Sequence, residues 1–212
     1  MTLNDGHFDS QERREWELLQ AKLQDGSIST PELLKLAQLS IEPGHDLFRA
    51  AELLETVLAT DPGENMARVW LAHCWIYGFM DPASLRNALE VCNEIGRKAG
   101  IIASIRAAAF LLRGAAFYQL SAIDSARKEL EASVALEPGW VANRQLLAVL
   151  YERTNDLASA REQLVRAIEN TAVPSSGDPL FEWLITGRHA AGVLQRLRDQ
   201  LKRLPPAATA RS

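Results

Sequence analysis

Two consecutive stretches of this chain repeat one helical pattern at a spacing of 34 residues, and this repeat limits the fold more than any other feature. Residues 107–140 and 141–174 each contain two short amphipathic segments separated by a polar turn. In the first stretch, Phe110, Gly114 and Phe117 are three and four residues apart, so they share one helix face. The pattern predicts two successive helical hairpins.

Gly114 lies in the middle of a predicted helix, where glycine costs about 1 kcal/mol relative to alanine. Close packing explains it, because the second helix of the hairpin can lie directly over a residue that has no Cβ atom. That second helix carries Ala126 and Leu130 at helical spacing. Pro138 is predicted to end it, because proline cannot continue a helix.

Capping residues predict where several helices begin. Thr30 is predicted to cap a helix that has Pro31 in its first turn, and Asp46 to cap the next helix. In the repeated region, Ser121 and Asp124 suit a turn followed by an N-cap. Helices should therefore start close to these residues.

This pattern resembles the tetratricopeptide repeat, a 34-residue helix–turn–helix unit that has a glycine in its first helix, an alanine in its second helix and a closing proline. Its characteristic positions are filled in the first copy by Phe110, Gly114, Phe117, Ala126, Leu130 and Pro138, and in the second by Leu147, Ala148, Tyr151, Ala160, Leu164 and Ala167. The resemblance covers residues 31–174. It implies an all-α fold, a right-handed α–α superhelix or tetratricopeptide-like solenoid of about four hairpins.

The four hairpins are predicted at residues 31–64, 65–106, 107–140 and 141–174. Residues 1–30 are expected to form a disordered start and an N-terminal capping helix, for which dimerisation is the alternative role. Residues 175–203 are expected to form a C-terminal capping helical region and residues 204–212 a disordered tail. Both ends need caps because an uncovered solenoid end exposes apolar surface.

The second hairpin is predicted to be irregular. Ala50 and Ala126 are 76 residues apart, as are Pro62 and Pro138, which is eight more than two periods of 34. Two explanations remain open for the extra residues. Either the helices are lengthened by about one turn each, or residues 78–82 form a larger loop.

Composition and motifs argue against catalysis, metal binding, nucleic-acid binding and membrane insertion. The net charge of −4 disfavours nucleic acid as a partner, and no apolar run is long enough to insert into a membrane. With two cysteines and no signal peptide, a soluble, cytoplasmic protein is expected. His73, Cys74 and Cys92 are the one conceivable metal cluster, and it lacks a fourth ligand at zinc-site spacing. We expect no catalytic residue, metal or cofactor, and no enzyme.

The resemblance also implies a concave groove, lined by the first helix of each hairpin, that binds peptide segments. Carried over by register, its lining would be Lys35, Leu39, Val69, His73, Ile76, Tyr77, Leu111, Tyr118, Gln145 and Val149. Leu39 and Trp70 replace polar residues with which some family members clamp a charged carboxylate tail, so that ligand is disfavoured. An apolar groove with aromatic sides suits an amphipathic helix or an extended apolar segment.

The predicted function is therefore a non-enzymatic adaptor or scaffold that binds an apolar or amphipathic segment of a partner protein. A small dedicated chaperone for one client and a self-assembling structural scaffold are the alternatives. Residues 1–60 have a net charge of −6 and residues 188–203 one of +4. This asymmetry would steer an acidic partner to the C-terminal end or favour head-to-tail homo-oligomers, and a solvated surface is the alternative explanation. The groove could also be filled by the chain's own terminal helices.

Overall fold

The computed structural model describes residues 10–41, 46–171 and 190–205. Within these ranges the regular structure is entirely helical. The helices are α1 (Ser10–Asp25), α2 (Thr30–Ile41), α3 (Leu47–Thr60), α4 (Asn65–Cys74) followed by a π-helical turn (Trp75–Phe79), α5 (Pro82–Arg97), α6 (Ala103–Gln119), α7 (Ile123–Leu136), α8 (Val141–Arg153), α9 (Leu157–Asn170) and α10 (Ala190–Arg203).

Some predicted features lie outside the described residues. They are the start at residues 1–8, the turn at residues 43–44, the segment 175–189 and the tail beyond residue 205. The described helices fall into two compact units, an N-terminal unit (Met1–Ile95) and a C-terminal unit (Gly96–Ser212).

In the N-terminal unit, α1 packs on α2, α2 on α3 and α3 on α4, and α4 also contacts α2. Asp46 caps α3 as predicted, because its carboxylate accepts hydrogen bonds from the backbone N–H groups of Phe48 and Arg49. The prediction that Thr30 caps α2 is wrong. The cap is Ser29, whose N–H and hydroxyl donate to the Glu32 carboxylate at 2.9 and 2.7 Å, and a glutamate three residues after the cap is typical of a capping box.

The extra length of the second hairpin is divided between several places. After α4 the chain adds the π-helical turn, which the N–H of Met80 closes by donating to the Trp75 carbonyl at 3.1 Å. Met80 itself has a φ of 58°, in the left-handed region. Helix α5 has 16 residues where α7 has 14, and residues 98–102 connect it to α6. The prediction of lengthened helices is therefore partly correct, whereas the predicted larger loop at residues 78–82 is wrong, because only Met80 and Asp81 lie between the π-helical turn and α5. Neither explanation predicted a π-helical turn.

In the C-terminal unit, the α6–α7 hairpin confirms the reason given for Gly114. A Cβ atom on Gly114 would lie only 2.6 Å from Cγ of Leu130, which is fully buried. On the same hairpin, Arg113 of α6 pairs with Glu129 of α7 at 3.0 Å. Burial raises the pKa of the Glu129 carboxyl, and the charge of Arg113 opposes that rise. The two helices are thus held by close packing and by a largely enclosed ion pair.

The 34-residue period is visible in the backbone. Ser121 and Asn155 end α6 and α8 with φ angles of 60° and 61°. After each of them, the next residue donates its N–H to the carbonyl five positions earlier, at 2.9 Å in both turns, as in a Schellman cap. The predicted N-cap at Asp124 is wrong, because Asp124 lies inside α7 and its carboxylate pairs with Arg127 at 2.7 Å, and the N-cap position is held by Ala122, which makes no side-chain cap hydrogen bond.

Helix α10 packs antiparallel on α9 and covers the end of the second hairpin of this unit. Its buried residues Val193 and Leu197, and Leu204 directly after its end, join one apolar cluster with Ala160 and Leu164 of α9. The antiparallel direction follows from Arg161, near the start of α9, which donates to the carbonyl of Pro205 beyond the end of α10 at 3.2 Å.

Candidate functional site

Each unit has one face formed by two first helices of successive hairpins. In the N-terminal unit these are α2 and α4, and in the C-terminal unit they are α6 and α8. We call these surfaces the N-terminal and the C-terminal inner face. Five of the predicted groove residues remain accessible. On the N-terminal inner face they are Lys35 and Tyr77, and on the C-terminal inner face they are Tyr118, Gln145 and Val149.

The other five predicted groove residues are buried in the core of the chain. They are Leu39, Val69, His73, Ile76 and Leu111. The prediction that these five side chains line an open surface is wrong, because they are buried. Within the two units, α2, α6 and α8 each pack mainly on the second helix of their own hairpin, α4 packs mainly on α3, and α2 also packs on α1.

Three rings meet along α4 and the π-helical turn that follows it. His73 lies edge-on to Trp70 at 5.7 Å between ring centroids, and it contacts the ring of Tyr77 at 4.7 Å. Desolvation lowers the pKa of His73 to about 3, so this imidazole is neutral at physiological pH. Tyr77 exposes 43% of its surface, yet the surroundings of its hydroxyl raise its pKa to about 12 by desolvation. The site offers a neutral aromatic surface.

Lys35 has a partner within the chain. Its ammonium nitrogen lies 3.9 Å from the Glu15 carboxylate of α1, and both side chains are partly exposed. A second pair, Lys22 with Glu32, also joins α1 to α2. The charge of Lys35 is therefore partly satisfied by the N-terminal helix, which is further reason against a carboxylate-tail ligand at this position.

On the C-terminal inner face, Arg153 fixes the end of α8 against the end of α6. Its guanidinium lies over the ring of Tyr118 at 5.0 Å and donates to the Tyr118 carbonyl at 3.2 Å and to the Ser121 hydroxyl at 2.9 Å. Beside it, the Glu152 carboxylate accepts a 2.7 Å hydrogen bond from Gln200 of α10. Helix α10 thus contacts α8 at the margin of this face.

The described residues offer little to a metal ion. His73, Cys74 and Cys92 are all buried, and burial raises the pKa of the Cys74 thiol to about 12. Within the described ranges, no three or more histidine, cysteine, aspartate or glutamate side chains come close enough together to hold a metal. His7, His45 and His189 lie outside those ranges.

Sequence reasoning missed one exposed apolar cluster. Phe48 at the start of α3 contacts Phe79 of the π-helical turn at 4.5 Å between ring centroids, and Met80 follows directly. Their exposed fractions are 54%, 37% and 60%. Helical periodicity gave no signal for this cluster, because the π-helical turn breaks the period.

A crystal structure with the same fold decides the fold family. TTC0263, a thermophilic TPR protein of Thermus thermophilus, matches 90% of this chain over 91% of its own length, with 21% sequence identity and a TM-score of 0.66. The fold is that of a tetratricopeptide-repeat protein. The predicted fold class, an all-α tetratricopeptide-like solenoid, is therefore confirmed.

A second similar structure is MamA, residues 41 to the end, from Desulfovibrio magneticus RS-1. It matches 76% of this chain over 96% of its own length, with 19% identity and a TM-score of 0.52. No protein-family model matches the chain, and no curated protein matches it.

None of the helices within residues 10–41, 46–171 and 190–205 combines the length and the apolar character that crossing a bilayer requires.

Proposed function

We propose that this tetratricopeptide-like chain is a non-enzymatic protein-interaction module that holds an apolar or amphipathic segment of a partner protein on its inner faces. The observation that carries the proposal is Tyr77, a large aromatic residue that leaves 43% of its surface accessible while it packs on buried His73. An aromatic side chain supported in this way loses little conformational freedom on binding, and tyrosine is enriched at binding hot spots.

The chemistry of both inner faces supports this class of ligand. On the N-terminal face the aromatic group is neutral, because the pKa of His73 is low and that of Tyr77 is high. On the C-terminal face, half-buried Val149 and Gln145 lie on the helix whose end Arg153 fixes against Tyr118. Apolar surface with few polar groups favours an amphipathic helix or an extended apolar strand.

Affinity co-purification from the native host, followed by direct titration of the captured partner, tests the proposal. Wild type is compared with Tyr77→Ala and with the control Ile102→Ala, which removes an exposed apolar residue from the C-terminal unit. We expect a stoichiometric partner whose affinity falls about tenfold in Tyr77→Ala and is unchanged in the control. Equal affinity for all three proteins, with helicity intact, would contradict the inner-face proposal.

Self-assembly is the second candidate, because the two units carry opposite charge. Residues 1–95 contain 16 acidic and 7 basic residues, whereas residues 96–212 contain 11 acidic and 16 basic residues. Complementary charge favours head-to-tail association, which salt should weaken. Sedimentation velocity at low and at high salt tests this candidate, and a monomer under both conditions would exclude it.

A further inference from the structure

The cluster of Phe48, Phe79 and Met80 is a second surface, and its role goes beyond the function proposed for the inner faces. Together these side chains expose roughly 300 Å² of mostly apolar area, the size at which patches on monomers are often functional. We call this surface the aromatic patch. It is built where the π-helical turn meets α3, since a Cβ atom on Gly78 would lie 2.8 Å from Cβ of Leu47.

Met80 occupies an unfavourable backbone position for its residue type. Its φ of 58° lies in the left-handed region, which suits glycine and asparagine. The corresponding turn positions in the C-terminal unit hold Ser121 and Asn155, which are small and polar. A large apolar side chain that is 60% exposed adds nothing to the core in exchange for this strain. A strained residue whose side chain brings no packing benefit points to a function for that side chain.

The charges around the aromatic patch identify the kind of partner. Asp46 lies two residues before Phe48, Glu52 lies one helical turn after it on the same face, and Asp81 directly follows Met80. Asp46 and Asp81 are held in place as helix caps, with backbone N–H groups 2.9–3.1 Å from their carboxylates. One basic residue, Arg49, lies among them and pairs with Glu52 at 2.7 Å. The rim is therefore net acidic.

We propose that the aromatic patch docks a cationic amphipathic segment of a partner protein, whose apolar side chains cover Phe48, Phe79 and Met80 while its lysines or arginines meet the acidic rim. The net charge of −9 on residues 1–95 adds long-range attraction for such a segment. An acidic amphipathic segment has the same apolar face but is repelled by the rim, so charge alone separates the two.

Fluorescence anisotropy on the full chain tests this with two labelled helical peptides of identical leucine pattern, one filled with lysine and the other with glutamate. Met80→Gly is the central variant, because glycine suits the left-handed backbone and removes only the exposed side chain. We expect Met80→Gly to be at least as stable as wild type and to bind the lysine peptide about tenfold more weakly. The control Ile102→Ser, which removes a residue with 59% exposure elsewhere, should bind as wild type does.

Charge reversal tests the rim separately. Glu52→Lys should weaken binding of the lysine peptide about tenfold, whereas Glu90→Lys, which makes the same change in net charge more than two turns along α5 from Asp81, should have little effect. The proposal is overturned if the wild type binds neither peptide or binds both with equal affinity. It is also overturned if Ile102→Ser or Glu90→Lys weakens binding of the lysine peptide as much as the patch variants do. Self-association that Met80→Gly abolishes would make the occupant a second copy and would overturn the proposed partner segment.

Discussion

Gly114→Ala is the substitution whose outcome the structure determines most directly. A Cβ atom there would lie 2.6 Å from Cγ and 2.7 Å from Cδ2 of Leu130, and 3.4 Å from the Ala126 carbonyl oxygen. Carbon atoms in contact are normally about 3.5–4.0 Å apart, so Leu130 must retreat by about 1 Å. Leu130 is fully buried, so it has no open space on the far side into which it can move.

Two opposing terms set the magnitude. Overpacking a filled core costs about 1–3 kcal/mol, and the clash at Gly114 belongs in the upper part of that range. Alanine gains about 1 kcal/mol over glycine in helix propensity. We therefore expect Gly114→Ala to lower the free energy of unfolding by about 1–2 kcal/mol. Gly139→Ala is the control, since a Cβ atom there meets nothing within 4 Å, and it should change stability little.

Urea denaturation followed by far-ultraviolet circular dichroism measures the effect, and the Leu130→Ala background reverses its sign. Leu130→Ala alone should destabilise by about 2–5 kcal/mol because it leaves a cavity. In that background the methyl group added by Gly114→Ala has room, so the substitution should become neutral or stabilising. A Gly114→Ala protein that is as stable as wild type, or a penalty that persists when Leu130 is truncated, would refute the packing argument.

Three further predictions address stability. Ser121→Gly should be more stable than Ser121→Ala by about 0.5–1 kcal/mol, because both variants lose the hydroxyl that accepts from Arg153 and only glycine relieves the φ of 60°; urea midpoints check this, and equal stability of the two variants would show that the turn is unstrained. The folded-state pKa of His73 is about 3, below its unfolded value, so its contribution to stability is complete above about pH 6.5 and falls towards pH 3, by about 2 kcal/mol at pH 5. His73→Phe should lose less stability than wild type between pH 7 and pH 5 in parallel urea titrations, and equal losses would contradict the assignment. Arg113→Met should destabilise by about 1–3 kcal/mol because it leaves the largely enclosed Glu129 carboxylate without Arg113, whereas adding Glu129→Leu should recover most of that loss in thermal melts.

The sequence was most informative where one residue type had one physical explanation. Gly114 required a close neighbour, and the 34-residue spacing placed Leu130 over it, as the structure shows. Asp46 could likewise be recognised as a cap from its position before an apolar helix. At Thr30, however, two neighbouring hydroxyl residues could both serve as the cap, and only the bonds of Glu32 to Ser29 distinguish them.

Other features were beyond the sequence pattern for physical reasons. Register shows which side of a first helix a residue lies on, but the depth of a side chain depends on how closely the neighbouring helices pack around it. Leu39 and Leu111 therefore lie in the core although their register is that of a groove. A count of eight extra residues fits a longer helix, a loop or a π-helical turn equally well, so the exposure of Phe79 and Met80 could not be inferred.

The two native thiols have a practical consequence for experiments in solution. Cys74 and Cys92 have no exposed surface, and the pKa of Cys74 is about 12, so a maleimide at neutral pH finds almost no thiolate there while the N-terminal unit is closed. The rate at which these thiols are modified therefore reports how often that unit opens. A cysteine introduced at an exposed position such as Arg198 on α10 can then be labelled selectively with the native thiols left in place, which makes the wild-type background suitable for distance measurements.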